Sequence, residues 1–191
     1  STALPMSKLR TMIAAACLAV GTISVTACST LPNEVDRSQI DTNSSQALNA
    51  LYAQNPAAKA IGQQARAVLI FPSIVKAGLG LGGAYGEGEM RKGGMVSDYY
   101  STFTGSWGLQ AGAQSYGYAV FLMNNDAVKY VEESDGWEIG VGPTVVLVNA
   151  GVAQNLSTTS LQDDAYAFIF DQKGLMAGIS IEGTKINKLD K

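Results

Sequence analysis

Residues 76–89 read Lys76-Ala77-Gly78-Leu79-Gly80-Leu81-Gly82-Gly83-Ala84-Tyr85-Gly86-Glu87-Gly88-Glu89. Taken with the two-residue period of a strand, the even positions after Lys76 are Gly78, Gly80, Gly82, Ala84, Gly86 and Gly88, all small. The odd positions carry Leu79, Leu81, Tyr85, Glu87 and Glu89, with Gly83 among them. One face is therefore nearly bare backbone, and the other passes from apolar to acidic. Glycine weakens a strand, because it loses more backbone entropy and packs no side chain. A run of such positions implies that something lies very close to that face: a helix, a crossing strand or a ligand. Gly78, Gly80 and Gly83 also fit G-x-G-x-x-G, but the residues that follow read as more strand rather than as a helix, so the dinucleotide fingerprint lacks its context.

The chain has 191 residues, 47% hydrophobic and 15% charged, which suits one domain with a real core. After residue 66, glycine and β-branched residues outnumber helix formers, so the body should be β-rich. There is no histidine, which removes histidine-based catalytic triads and histidine metal sites.

Residues 1–27 have the layout of a secretory leader. Met6 is a plausible start, Lys8 and Arg10 form a basic segment, and residues 12–25 are mostly apolar. That run is short for a bilayer core of about 30 Å. Val25-Thr26-Ala27-Cys28 resembles a bacterial lipobox, with Cys28 acylated as the new N-terminus, and Ser29 after it favours the outer membrane. The second cysteine, Cys17, leaves with the leader. Two of the 13 basic residues, Lys8 and Arg10, leave as well, so 11 remain against 16 acidic residues, a net of −5. A nucleic-acid partner is excluded, since phosphate binding needs a basic footprint.

Residues 28–44 read as a tether, and 45–191 as the domain. Ser44 or Ser45 caps a helix to about residue 55, and Asn55-Pro56 opens a second, to about residue 65. Val68 to Phe71 is a short strand stopped by Pro72-Ser73, and the glycine strand follows it. Arg91-Lys92-Gly93-Gly94 is a turn. Residues 99–114 form two strands or one long bent one, and 118–123 another. Asp126 caps a short helix over 127–133, residues 137–148 are strand, and 149–161 are loop. Residues 165–170 and 175–182 pair as a hairpin. These elements give an α+β fold: a curved, mostly antiparallel sheet or small barrel, covered by two N-terminal helices and one short inner helix.

Several segments combine into a pattern: 51–56 (LYAQNP), 68–72 (VLIFP), 76–88, 108–114 (GLQAGAQ), 121–124 (FLMN) and 173–183 (KGLMAGISIEG). In this order they resemble the SYLF domain, over roughly residues 45–188. The resemblance implies a phospholipid-binding module, and neither catalytic residues nor a cofactor are expected. The family's eukaryotic members take phosphoinositides, and some fungal members are linked to actin. Behind a lipid anchor and an acidic-to-neutral tether, an anionic envelope lipid is the expected ligand.

Lys76 matches the family's lysine and would meet an anionic headgroup. Arg91 and Lys92 are the next candidates, then Lys59 and Arg66, which stand seven apart and would share a helix face. The close-packing glycines are Gly78, Gly80, Gly82, Gly83, Gly86 and Gly88. Trp107, Trp137 and Tyr118 offer aromatic contact or simply core. Glu87 and Glu89, about 7 Å apart on one strand face, have the residue types for glycan hydrolysis, the weaker reading beside a purely structural envelope protein. Asp163, Asp164 and Asn155 lack the spacing of a calcium loop, and no metal is expected.

Overall fold

A computed structural model describes residues 36–157, 160–174, 181 and 183–189. The chain runs α1 (Arg37–Gln54), α2 (Pro56–Gln64), β1 (Ala67–Lys92), β2 (Met95–Leu122), α3 (Asn125–Glu133), β3 (Trp137–Glu138), β4 (Val145–Leu147), α4 (Ala150–Asn155), β5 (Ala165–Gly174) and β6 (Lys185–Lys188). The strands form one curled sheet with order β3-β6-β2-β5-β4, and β1 lies beside β2. All pairs are antiparallel except β4 with β5. The fold is α+β, and its sheet is a half-barrel.

Its frame is one long hairpin. β1 and β2 pair from Ala67↔Leu122 to Lys92↔Met95. Gly93 and Gly94 close it at φ 57° and 82°, the positive values that a two-residue hairpin turn of the primed type requires. The turn is thus Gly93-Gly94 alone, and Arg91 and Lys92 are the last residues of the strand. Pro72-Ser73 does not end a strand. The ladder slips between Phe71 and Ile74, and β1 continues through it. Among the described residues β1 pairs only with β2, and an edge strand with a bulge tolerates proline because no ladder donor is lost. A second slip between Leu79 and Leu81 leaves residues 108–110 of β2 without partners, so residues 99–122 stay one bent strand.

At the base of the hairpin both faces of the sheet are covered. Leu69, Phe71, Val120 and Leu122 face an inner core with Met90, Tyr100, Trp137 and Ile186, closed by Ala127, Val128 and Val131 of α3. Val68, Ile70, Ala119 and Phe121 face the other way, against Leu48 and Leu51 of α1, Ala58 and Ile61 of α2, and Phe168 of β5. Alternate residues thus enter opposite cores, which is why the segments 68–71 and 119–122 are apolar without a break.

Differences elsewhere are local. α1 begins at Arg37, capped by the Asp36 side chain, so residues 37–44 of the expected tether are helix and Ser44 is buried in it. Asn55 caps α2 as expected, by accepting from the Ala58 N–H at 3.1 Å. Asn124 rather than Asp126 caps α3, accepting from Ala127 N–H at 2.8 Å. Residues 137–148 hold two short strands separated by a bend, where Gly140 and Gly142 have positive φ. Residues 150–155 form α4 instead of loop, capped by Asn149. Most of the expected strand over 175–182 lies outside the described residues.

Candidate functional site

The glycine face points inward, and what approaches it is β1 itself. A Cβ at Gly88 would sit 2.1 Å from the Ile70 carbonyl oxygen and 2.7 Å from the Phe71 ring. One at Gly86 would be 2.7 Å from Ile74 Cγ1 and 2.9 Å from the Ser73 oxygen. The strand curls until its second half lies across its first, and only glycine leaves room for the crossing. At Gly78 a Cβ would strike Gly82 Cα at 2.7 Å, so the strand is sharply bent there as well.

Curling turns the odd positions outward. Val75 is 53% exposed, Leu79 84%, Leu81 64% and Tyr85 49%. Phe103, cross-strand partner of Tyr85, is 51% exposed and stands on the same face. Between these side chains Gly83 pairs with Gly105, and the surface there is flat backbone. No helix among the described residues covers this middle of the hairpin. An exposed apolar strip of this kind is a candidate interaction surface. Beyond it the same face turns polar: Tyr85 Oη donates to Glu87 Oε1 at 2.9 Å, and partial burial together with that carboxylate raises the phenol to about 12.

Two concavities compete with this surface. The first lies inside the half-barrel, among Ile74, Ala84, Thr102, Tyr116, Tyr118 and Thr184. Its volume of about 10 Å³ has room for one water and no headgroup. Tyr118 Oη and Thr102 Oγ1 are buried there without a protein partner, which suits a single bridging water. Burial raises the Tyr118 phenol far above its ordinary value, so it stays neutral. The second is an open groove of about 370 Å³ edged by Asp98, Glu132, Glu133 and Asp135. Its lysine, Lys188, is paired with Asp98 at 2.9 Å. An anion is repelled there.

The basic residues singled out in the sequence do not converge. Lys76 is half-buried on the inner face opposite Gln114, next to the bend, and its side chain makes no hydrogen bond or ion pair with a described residue. Arg91 is engaged: Nε donates to Glu89 Oε1 at 2.5 Å, and Nη2 donates to Ser45 Oγ at 2.7 Å and to the Asp41 carbonyl at 3.1 Å. Lys92 is paired with Glu132 of α3. Lys59 is exposed on α2, but Arg66 lies past the end of that helix, so seven-residue spacing does not put them on one helical face.

The other candidates divide plainly. Trp137 is 1% exposed and donates its indole N–H to the Val141 carbonyl at 3.0 Å, and Tyr118 is core. The side chain of Trp107 lies outside the described residues. Glu89 is buried under α1 while Glu87 bonds Tyr85, so the two do not form an open carboxylate pair. Asp164 accepts from Asn124 Nδ2 at 2.9 Å and from Thr144 N–H and Oγ1 at 3.0 and 3.1 Å. The Thr144 N–H and the other two donors hold its carboxyl below the usual range. No group of three potential metal ligands occurs among the described residues. The signal missed in the sequence was the odd face itself: Leu79, Leu81 and Tyr85 were legible there, but nothing local said that they would be left uncovered.

Comparison with known families adds a finding. Residues 103–191 match the family model Ysc84, described as Las17-binding protein actin regulator. The match supports a SYLF-type domain of the lipid- and actin-related binding class. It begins at Phe103, inside β2, and so excludes the glycine strand and both N-terminal helices. No curated protein matches the chain.

Proposed function

We propose that the domain is a non-enzymatic phospholipid-binding module of the cell envelope, tethered by acylated Cys28 and probing the bilayer with the bare middle of its hairpin. The observation that carries the reading is the uncovered strip of Val75, Leu79, Leu81, Tyr85 and Phe103. Magnitudes rank its contacts. Fully burying a leucine is worth about 1.5–3 kcal/mol. One cation near an anionic surface is worth about 1 kcal/mol. Leu79 and Leu81 together therefore outweigh Lys76. Arg91 and Lys92, already bonded to Glu89 and Glu132, contribute less than their charge suggests. The net charge of −5 left once residues 1–27 are removed opposes long-range attraction, so Lys76 acts only at contact, as one bond to an anionic headgroup. The resemblance implies a phospholipid, and the lipid anchor and acidic-to-neutral tether favour an anionic envelope lipid as the ligand in place of a phosphoinositide.

The test is vesicle flotation of the chain carrying Cys28→Ser. Leu79→Ser with Leu81→Ser should weaken binding about a hundredfold, from about 3 kcal/mol of lost burial at 1.4 kcal/mol per decade. Lys76→Ala should weaken it about fivefold, on anionic vesicles alone. Flotation of the double-serine variant equal to its parent would defeat the apolar contact. No flotation of the parent on any vesicle would leave the structural envelope reading in its place. The anchor has its own test: in cells Cys28→Ser should move the protein from the membrane to the soluble fraction, and membrane retention with acyl labelling would refute it.

A further inference from the structure

The most unusual polar contact in the domain lies between α1 and the end of β1. Glu89 is buried at 0% exposure. Its Oε1 accepts from Arg91 Nε, but no donor among the described residues reaches its buried Oε2. The carboxyl on its helix side is that of Asp41 of α1: Tyr99, which bonds Asp41, is the cross-strand partner of Glu89, and Arg91, which bonds Glu89, also bonds the Asp41 carbonyl. Asp41 Oδ1 is taken by Tyr99 Oη at 2.8 Å. Two carboxylates cannot bond one another, and a buried acceptor without a donor costs about 1–3 kcal/mol or more. A proton on one of them removes both problems.

We infer that the buried Glu89 keeps a proton on the side that faces Asp41, and that this proton is a clamp holding the N-terminal half of α1 on the sheet. The neighbours define its charge. From α1 come Arg37, Asp41 and Tyr52, from β1 Glu89 and Arg91, and from β2 Tyr99. Arg37 lies over the Tyr99 ring at 5.0 Å. Arg91 bridges the two elements, binding Glu89 on the strand and both Ser45 and the Asp41 carbonyl on the helix. With the proton in place, Glu89 donates to Asp41, and every member of the cluster has a partner. When it leaves, two negative groups face each other under α1, and the first two turns of the helix loosen.

Burial first, and then the Asp41 contact, raise Glu89 to about 7 against the pull of Arg91. The folded state thus keeps a proton that the unfolded chain, with the ordinary value of 4.5, has released. Stability from this group is complete below that value and is lost as pH rises toward 7, after which it stays level. Asp36 and Asp164 have lowered values, so their contributions change below the ordinary 3.8, outside this window.

The experiment compares the full chain with Glu89→Gln and Asp41→Asn between pH 5 and 8, by thermal melting and by amide-exchange protection factors over residues 41–45. Glutamine keeps the acceptor for Arg91 and supplies a permanent donor to Asp41. Asparagine supplies a permanent donor to Glu89. The parent should lose several degrees of Tm across the range, and protection at 41–45 should fall about tenfold or more while residues 58–61 of α2 hold theirs. Both variants should flatten those curves, and Glu89→Gln should out-melt the parent at pH 8. A parent with flat curves, or a folded variant that keeps the parent's full slope, overturns the proton clamp at Glu89. If one variant fails to fold, the other still decides.

Discussion

The base and the middle of one hairpin are built from the same two strands, yet they meet the surroundings differently. At the base, Val68 to Phe71 and Ala119 to Leu122 are packed on both faces, by α1 and α2 on one side and α3 on the other. In the middle, Val75, Leu79, Leu81, Tyr85 and Phe103 stand exposed, with no described helix over them. Side chains of one chemical type are thus a stabilising core at one end and an exposed surface at the other. Hydrophobicity sets the tendency to leave water, and neighbouring elements decide whether that happens within the fold or must await a partner.

The comparison can be broken by substitution, starting at the base. Phe121→Ala should cost about 3–5 kcal/mol, because the ring is fully buried and meets Phe168 edge-on at 5.6 Å. A chemical denaturation midpoint close to that of the parent would mean that the base is not a packed double-sided core. Gly88→Val should follow, at about 3 kcal/mol, since its neighbour is the Ile70 backbone and cannot give way. The control is Gly105→Ala, where an added Cβ meets nothing within 4 Å and stability should stay within about 0.5 kcal/mol. If the two glycine variants melt alike, the curl of β1 is not what excludes side chains at Gly88. Side chains in the middle should matter far less than those at the base: Leu79→Ser with Leu81→Ser should change unfolding free energy by less than about 1 kcal/mol while weakening vesicle binding. Large destabilisation in urea melts would show that the strip belongs to a core, and the contrast between the two regions would fall.

Much of this was legible in local sequence. The even glycines announced a close approach, Asn55-Pro56 marked a helix start, and two unbroken apolar runs marked strands. The crossing partner was left open among helix, strand and ligand, because a contact between Gly88 and Ile70 joins residues far apart in the chain. Pro72 misled for a related reason. Proline ends a strand only where its missing N–H is needed, and edge position is a property of the assembled sheet. The same limit applies to the candidate cations. Charge and motif position were visible in Arg91 and Lys92, but the carboxylates that occupy them come from β1 itself and α3.

The sequence by itself determined the elements and their faces, because side-chain period, capping residues and glycine freedom act within a few residues. Only the tertiary structure decided which faces stay bare, which charges are already paired, and that Glu89 lies buried against Asp41. Burial and local dielectric are set by segments brought together from distant parts of the chain, and those fix both how much apolar surface water still sees and where a proton prefers to sit.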